Sequence, residues 1–199
     1  MRVACGSGNL ELVRFTILFL FLIAGGLAAQ TRAFRIDPAA SRLHFALGAS
    51  LHTVEGDFRL EGGKVEIDLA TGAASGELSA QAASGNSGSE TRDRRMHDQI
   101  LEASRYPLIA FSPKRIRGTL APAGNSKMEV DGDFQIHGAT HPLTASAEVS
   151  IDKDHFHATT SFLVPYVKWG MKDPSTFFLK VKDQVSLSLD LVGQTTTSP

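Results

Sequence analysis

From Phe34 onward the chain alternates apolar and polar residues in one short run after another, the period of a half-buried β-strand. Leu43, Phe45 and Leu47 stand opposite Arg42, His44 and Ala46, and Val54, Gly56, Phe58 and Leu60 opposite Thr53, Glu55, Asp57 and Arg59. Later runs repeat the pattern at Val65–Leu69, Leu78–Ala82, Ile109/Phe111, Met128–Ile136, Leu143–Ile151, Phe156–Val164 and Val185–Leu191. Turn signals separate them: Gly62-Gly63, Ala70-Thr71-Gly72, Pro122 to Asn125, Gly138 to Pro142 and Asp152-Lys153-Asp154. Parallel strands buried on both faces would read as continuous apolar runs with helices between them. Roughly eight or nine one-faced strands on short turns therefore predict one all-β antiparallel domain, either a barrel or a sandwich.

One stretch breaks the alternation. Residues 84–89 (SGNSGS) read as a loop, and residues 90–101 as a short helix with Ser87-x-x-Glu90 as its capping box and Met96 and Ile100 on one face. Ahead of the first strand, Arg2 and Arg14 precede the apolar run FTILFLFLI (15–23), followed by small residues up to Ala29. This is the layout of a secretory signal peptide, residues 1–28, cleaved after Ala28 or Ala29, with an uncleaved N-terminal anchor as the alternative; the apolar run is shorter than the roughly 20 residues that span a bilayer. The expected location is periplasmic or secreted. Cys5 is the only cysteine, so the mature chain would have none, and disulfide frameworks and Cys-based metal centres are excluded. Loss of Arg2, Glu11 and Arg14 takes the net charge from -1 to about −2, which offers no general attraction to nucleic acid.

No motif of a known chemistry is present: no nucleophile elbow, P-loop, dinucleotide fingerprint or His-Glu-x-x-His. His155-x-His157 would share a strand face, but that face reads as solvated, and no metal site is expected there. Two features exceed background. Seven basic residues (Arg92, Arg94, Arg95, Arg105, Lys114, Arg115, Arg117) meet three acidic ones (Asp93, Asp98, Glu102) around the helix. Further on, the segment 165–178 gathers Tyr166 and Trp169 between Pro165 and Pro174, and Phe177 and Phe178 just beyond, a candidate lid over an apolar mouth or a loop packed on the sheet edge.

Several short elements, in this order and spacing, resemble the YceI-like domain family over about residues 34–193. They are Phe34-x-Ile36-Asp37, Ser41-x-Leu43-x-Phe45, His52-Thr53-Val54-x-Gly56-x-Phe58, Arg92-Asp93, Tyr106-Pro107-x-Ile109-x-Phe111 and Gly132-x-Phe134-x-Ile136-x-Gly138-x-Thr140-x-Pro142-Leu143. The resemblance implies an eight-stranded antiparallel lipocalin-like barrel with one short helix between strands. It further implies an apolar cavity for polyisoprenoid chains such as quinones or isoprenyl phosphates, and no catalytic residues to carry over. A barrel of this size is either filled or holds one small ligand. Small inward residues (Gly56, Gly76, Ala80, Ala82, Gly132, Ala145, Ala147, Ala158) argue for room inside.

The expectation is then a binding protein that stores or transports an isoprenoid-type lipid. Phe45, Leu47, Phe58, Phe111, Phe134, Ile136 and Phe162 would line its cavity, Trp169 and Phe178 its mouth, and Arg92, Arg95 and His97 would meet the head group. No cofactor is expected apart from the lipid, and no nucleic acid; transient membrane contact and a homodimer fit the same reading. Residues 194–199 read as a disordered tail. Two other readings stand beside it: a hydrolase or isomerase of a small hydrophobic substrate, and a stress-related interaction protein with a solid core.

Overall fold

The computed structural model describes residues 30–177 and 179–198; the expected signal peptide and Phe178 lie outside them. Ten strands follow in chain order: β1 (Thr31–Ile36), β2 (Arg42–Gly48), β3 (Thr53–Phe58), β4 (Leu60–Asp68), β5 (Ala74–Gln81), β6 (Leu108–Gly118), β7 (Gly124–Ile136), β8 (Ala139–Asp152), β9 (His155–Val164) and β10 (Val185–Ser198). A single 3-10 turn (Ala82–Ser84) and the helix α1 (Glu90–Arg95) lie between β5 and β6. The sheet runs β1-β4-β5-β6-β7-β8-β9-β10-β2-β3, and β1 also pairs with β10, which closes β1 and β4 through β10 into an eight-stranded antiparallel barrel.

The two extra strands are halves of bent barrel positions. The 14 residues of β10 are long enough to pair with β2 through Ser186–Asp190 and with β1 through Gly193–Ser198. β1 and β2 thus occupy one side of β10 in succession. Between them Pro38 withholds an N–H, and Asp37 Oδ1 accepts the Ala39 N–H at 2.9 Å and the Ala40 N–H at 3.4 Å, turning the chain. The strand β3–β4 breaks at Arg59, whose N–H donates to Ser84 Oγ (2.8 Å) instead of to a neighbouring strand.

Alternation places charge outside and apolar residues inside. Along β7, Met128, Phe134 and Ile136 are buried, while Glu129 and Gln135 are exposed. This is the reverse of a transmembrane barrel, whose outer band is apolar. Between β7 and β8 the chain reverses through His137 (φ 52°) and Gly138 (φ 72°), a two-residue turn with both central φ positive. A side chain at Gly138 would also strike the Tyr106 ring, 2.3 Å from where its Cβ would lie.

Three expectations are corrected. Residues 194–199 are not a tail as far as they are described: β10 continues to Ser198, and its Gln194-Thr195-Thr196-Thr197 run pairs with Arg35 through Arg32 of β1. β-branched threonines suit a pleated surface although they carry no apolar alternation. The capping box does not form. Ser89 is the N-cap, and Ser87 gives both its N–H (2.9 Å) and its hydroxyl to Asp93 Oδ1. The helix also does not hold one pitch; after Arg95 it widens into a π-turn, Met96–Ile100, closed by the Leu101 N–H on the Met96 carbonyl at 2.9 Å.

One end of the barrel is shut. Arg32 points inward there, 6% exposed, and donates through Nε to Thr195 Oγ1 (3.1 Å) and through Nη1 to the Pro122 carbonyl (2.8 Å). The other end carries the helix and the long segment 165–184.

Candidate functional site

The barrel interior is hollow in two places. An inner chamber of about 170 Å³ lies toward the shut end, lined by Phe34, Ile67, Ile116, Phe134, Ala145 and Phe156 among others. An outer chamber of about 410 Å³ lies under the helix and the 165–184 segment. Leu43, Ile109 and Leu187 line both and form the waist between them. The chambers lie one beyond the other inside the barrel, with those three residues between them.

The small residues act in two ways. Ala80, Ala145, Ala147 and Ala158 border the inner chamber and leave it open. At Gly56 and Gly132 the space is taken by backbone and rings: an added Cβ would lie 2.2 Å from the Asn86 carbonyl oxygen and 2.6 Å from Phe45 at the first, and 2.5 Å from the Ser112 carbonyl oxygen and 2.6 Å from Phe111 at the second. Glycine there permits close ring packing and contributes no void. Sequence alone does not separate these cases, because whether a neighbour fills the gap depends on cross-strand register.

The sequence-derived residues divide between the chambers. Phe45, Leu47, Phe58, Ile136, Arg92 and Arg95 line the outer chamber. Phe111, Phe134 and Phe162 line the inner one. Trp169 lines neither: it stacks on His141 with ring centroids 3.9 Å apart and planes 3° apart, at the covered end of the barrel where β7 and β9 end and β8 begins. His141 Nε2 is buried with no hydrogen-bond partner among the described residues, and burial pushes this imidazole below its ordinary pKa. His97 also lines neither chamber, because its Nε2–H donates to the Gly85 carbonyl at 2.8 Å. Phe178 lies outside the described residues.

Further lining residues come from the helix and the long segment. Met96 and Ile100, which the sequence puts on one helix face, meet Leu101 over the outer chamber through the π-turn. Tyr166, Met171, Leu179 and Val181 arrive from the long segment, which is a packed cover on the mouth. Tyr166 pins that cover: its hydroxyl donates to the Lys182 carbonyl (2.8 Å). Burial first, then the nearby Asp173 and Asp183 charges, pushes its pKa up to about 12. The alternation of Leu179 and Val181 with Lys180 and Lys182 was the available signal for two of these residues.

Polar lining gathers at the helix side of the outer chamber, in Ser87, Ser89, Thr91, Arg92 and Arg95. Arg92 donates through Nε to Ser87 Oγ (2.7 Å) and through Nη2 to the Ser87 carbonyl (2.7 Å). Arg95 donates through Nη2 to the Pro174 carbonyl (3.2 Å), tying the helix to the cover. The basic cluster seen in the sequence splits here. On the outer face, Lys114 pairs with Asp133 (2.7 Å) and Arg117 with Asp131 (2.7 Å), across the β6–β7 register. The two rim arginines meet only neutral oxygens among the described hydrogen bonds. Among the described residues no Asp or Glu lines either chamber. His155 and His157 lie outside, bonded to Asp154 and Asp190 at 2.8 Å each, and no group of metal-ligating side chains forms among the described residues.

Comparison with known proteins follows the same lines. The barrel resembles Burkholderia cenocepacia BcnA (TM-score 0.67, 23% identity, 79% of this chain and 99% of that one). It also resembles a polyisoprenoid binding domain from Saccharophagus degradans implicated in plant cell wall breakdown (TM-score 0.67, 16% identity, 82% and 98%). A third likeness is to the Campylobacter jejuni YCEI protein (TM-score 0.58, 18% identity, 71% and 84%). At these identities the likeness concerns the fold. No curated protein matches the chain. The YceI-like domain model matches residues 34–193, nearly the whole barrel, and the chain belongs to the YceI-like domain family.

Proposed function

We propose that this protein is a periplasmic or secreted binding protein that holds an isoprenoid-type lipid along its barrel axis, for storage or transport. The observation that carries the reading is the pair of apolar chambers joined at the Leu43–Ile109–Leu187 waist, with polar lining concentrated at the open end. A long apolar chain would run through both chambers, with its head group at Ser89, Thr91, Arg92 and Arg95. The Saccharophagus degradans domain of the same fold, described as polyisoprenoid-binding, supports this assignment. Each methylene moved out of water contributes about 0.8 kcal/mol, so the five carbons of one isoprene unit contribute about 4 kcal/mol at most.

Chain length is the test. In Ala145→Phe a phenyl ring enters the inner chamber while the outer one stays as it is, Ala145 being 8% exposed and lining only the inner space. Lipid-stripped wild-type protein and this variant would be titrated with isoprenoid quinones of increasing length. The variant should retain short chains and lose long ones. An identical length profile in both proteins would overturn the two-chamber path.

A further inference from the structure

The two most exposed large apolar side chains among the described residues are Leu51 (83%) and Phe177 (89%). Both stand on the rim of the outer chamber, on adjoining turns. Leu51 is at the β2–β3 turn. Phe177 is in a turn held by the Thr176 N–H on the Leu179 carbonyl (2.8 Å) and by the Leu179 N–H on Thr176 Oγ1 (3.1 Å). Hydrogen bonds stitch the two turns together: the Ser50 N–H to the Lys180 carbonyl (2.9 Å), the Lys180 N–H to Ser50 Oγ (3.1 Å), and the Lys182 N–H to the Gly48 carbonyl (2.8 Å). Residues beside each of them line the chamber, Ala49 and His52 next to Leu51, and Pro174, Leu179 and Val181 around Phe177. The same lip therefore faces the cavity on one side and presents apolar groups to solvent on the other. A single exposed apolar residue is ordinary, but two on a tied lip around an apolar opening form a surface suited to an apolar layer.

The charge around the lip selects the layer. Segment 165–184 carries Lys168, Lys172, Lys180 and Lys182 against Asp173 and Asp183, in a chain whose net charge is -1. All four lysines are exposed. The rim is thus a cationic pole on a nearly neutral protein, complementary to anionic head groups. Two copies meeting lip to lip would bring like charges together.

We propose that the lip of Leu51 and Phe177, backed by Lys172, Lys180 and Lys182, docks on an anionic phospholipid bilayer and sets the mouth of the outer chamber against its acyl layer. The inference deepens the lipid-carrier reading and rests on it for its purpose. Its test is co-sedimentation of the mature chain with vesicles of phosphatidylcholine alone or mixed with phosphatidylglycerol. Wild type should bind the mixed vesicles, and added salt should release it. Leu51→Ser and Phe177→Ser should each weaken binding about tenfold, the partition shift of one apolar side chain kept in water. Lys180→Glu with Lys182→Glu should abolish the preference for phosphatidylglycerol. Because both apolar positions are exposed, the serine variants should still take up an isoprenoid quinone from detergent micelles, which shows an intact barrel. Unchanged vesicle binding in the double serine variant would overturn the docking surface. So would wild type that loads quinone from micelles yet ignores vesicles, or a dimer that disappears with Phe177→Ser. Vesicle binding through the lip without quinone uptake would keep the docking surface and refute the ligand reading instead.

Discussion

Leu187→Ala cuts the waist between the chambers, and its cost depends on whether those chambers exist. Leu187 is 5% exposed and borders both cavities. Truncation to alanine removes three carbons, about 2.4 kcal/mol of transfer free energy at about 0.8 kcal/mol per carbon. In a tightly packed core a further cavity term takes Leu→Ala to about 3–5 kcal/mol. Here the side chain already borders open space on two sides, so its three carbons give up fewer packing contacts and the loss should stay at about 2–2.5 kcal/mol. Ile151 supplies the contrast: it is 2% exposed and lines neither chamber, so Ile151→Ala should cost about 3–5 kcal/mol. Urea unfolding of lipid-stripped wild type and the two variants, with unchanged m-values, would give both numbers. A loss above about 4 kcal/mol for Leu187→Ala, equal to that of Ile151→Ala, would show a solid waist and refute the reasoning.

Other consequences can be measured on the same protein. Arg32→Ala removes two hydrogen bonds from a buried guanidinium at the shut end. It should lower stability by about 1.5–3 kcal/mol and admit solvent to the inner chamber, seen as faster amide exchange in β1 and the end of β10. An unchanged unfolding midpoint and exchange pattern would show that Arg32 does not close the barrel. Tyr166 is held neutral in the folded state, with its pKa pushed up to about 12 against about 10 when unfolded. Its contribution is fully present below pH 10 and is lost as the pH rises from 10 towards 12. The difference in phenolate absorbance between wild type and Tyr166→Phe should therefore develop near pH 12; a midpoint near 10 would mean that the cover leaves the phenol solvated.

The period of two carried most of the fold, because each strand buries one face and that constraint is local. Closure and the tail were less legible. That β10 holds both β1 and β2 is decided by strand pairing far apart in sequence, and the threonine-rich run 195–197 gives no apolar pattern to follow. Local readings failed where a tertiary partner competed. Ser87 turns to Asp93 instead of capping the helix, and His97 turns to the Gly85 carbonyl instead of entering the chamber. Trp169, which its long aromatic loop marks as a mouth residue, lies at that covered end, where it stacks on His141 and borders neither chamber. The aromatic lining from Phe45 to Phe162 was legible because inward parity follows from alternation. The contributions of Leu101 and Met171 depend on a π-turn and a packed cover that no local pattern specifies.

The most direct test of a lipid held along the barrel axis is native mass spectrometry of the protein purified without detergent from its own source, followed by identification of what organic solvent extracts. The expected result is one isoprenoid or isoprenoid quinone per chain, re-bound when added back to the stripped protein. A clean apo mass, with no uptake of isoprenoid quinone or isoprenyl phosphate by a folded barrel, would contradict it.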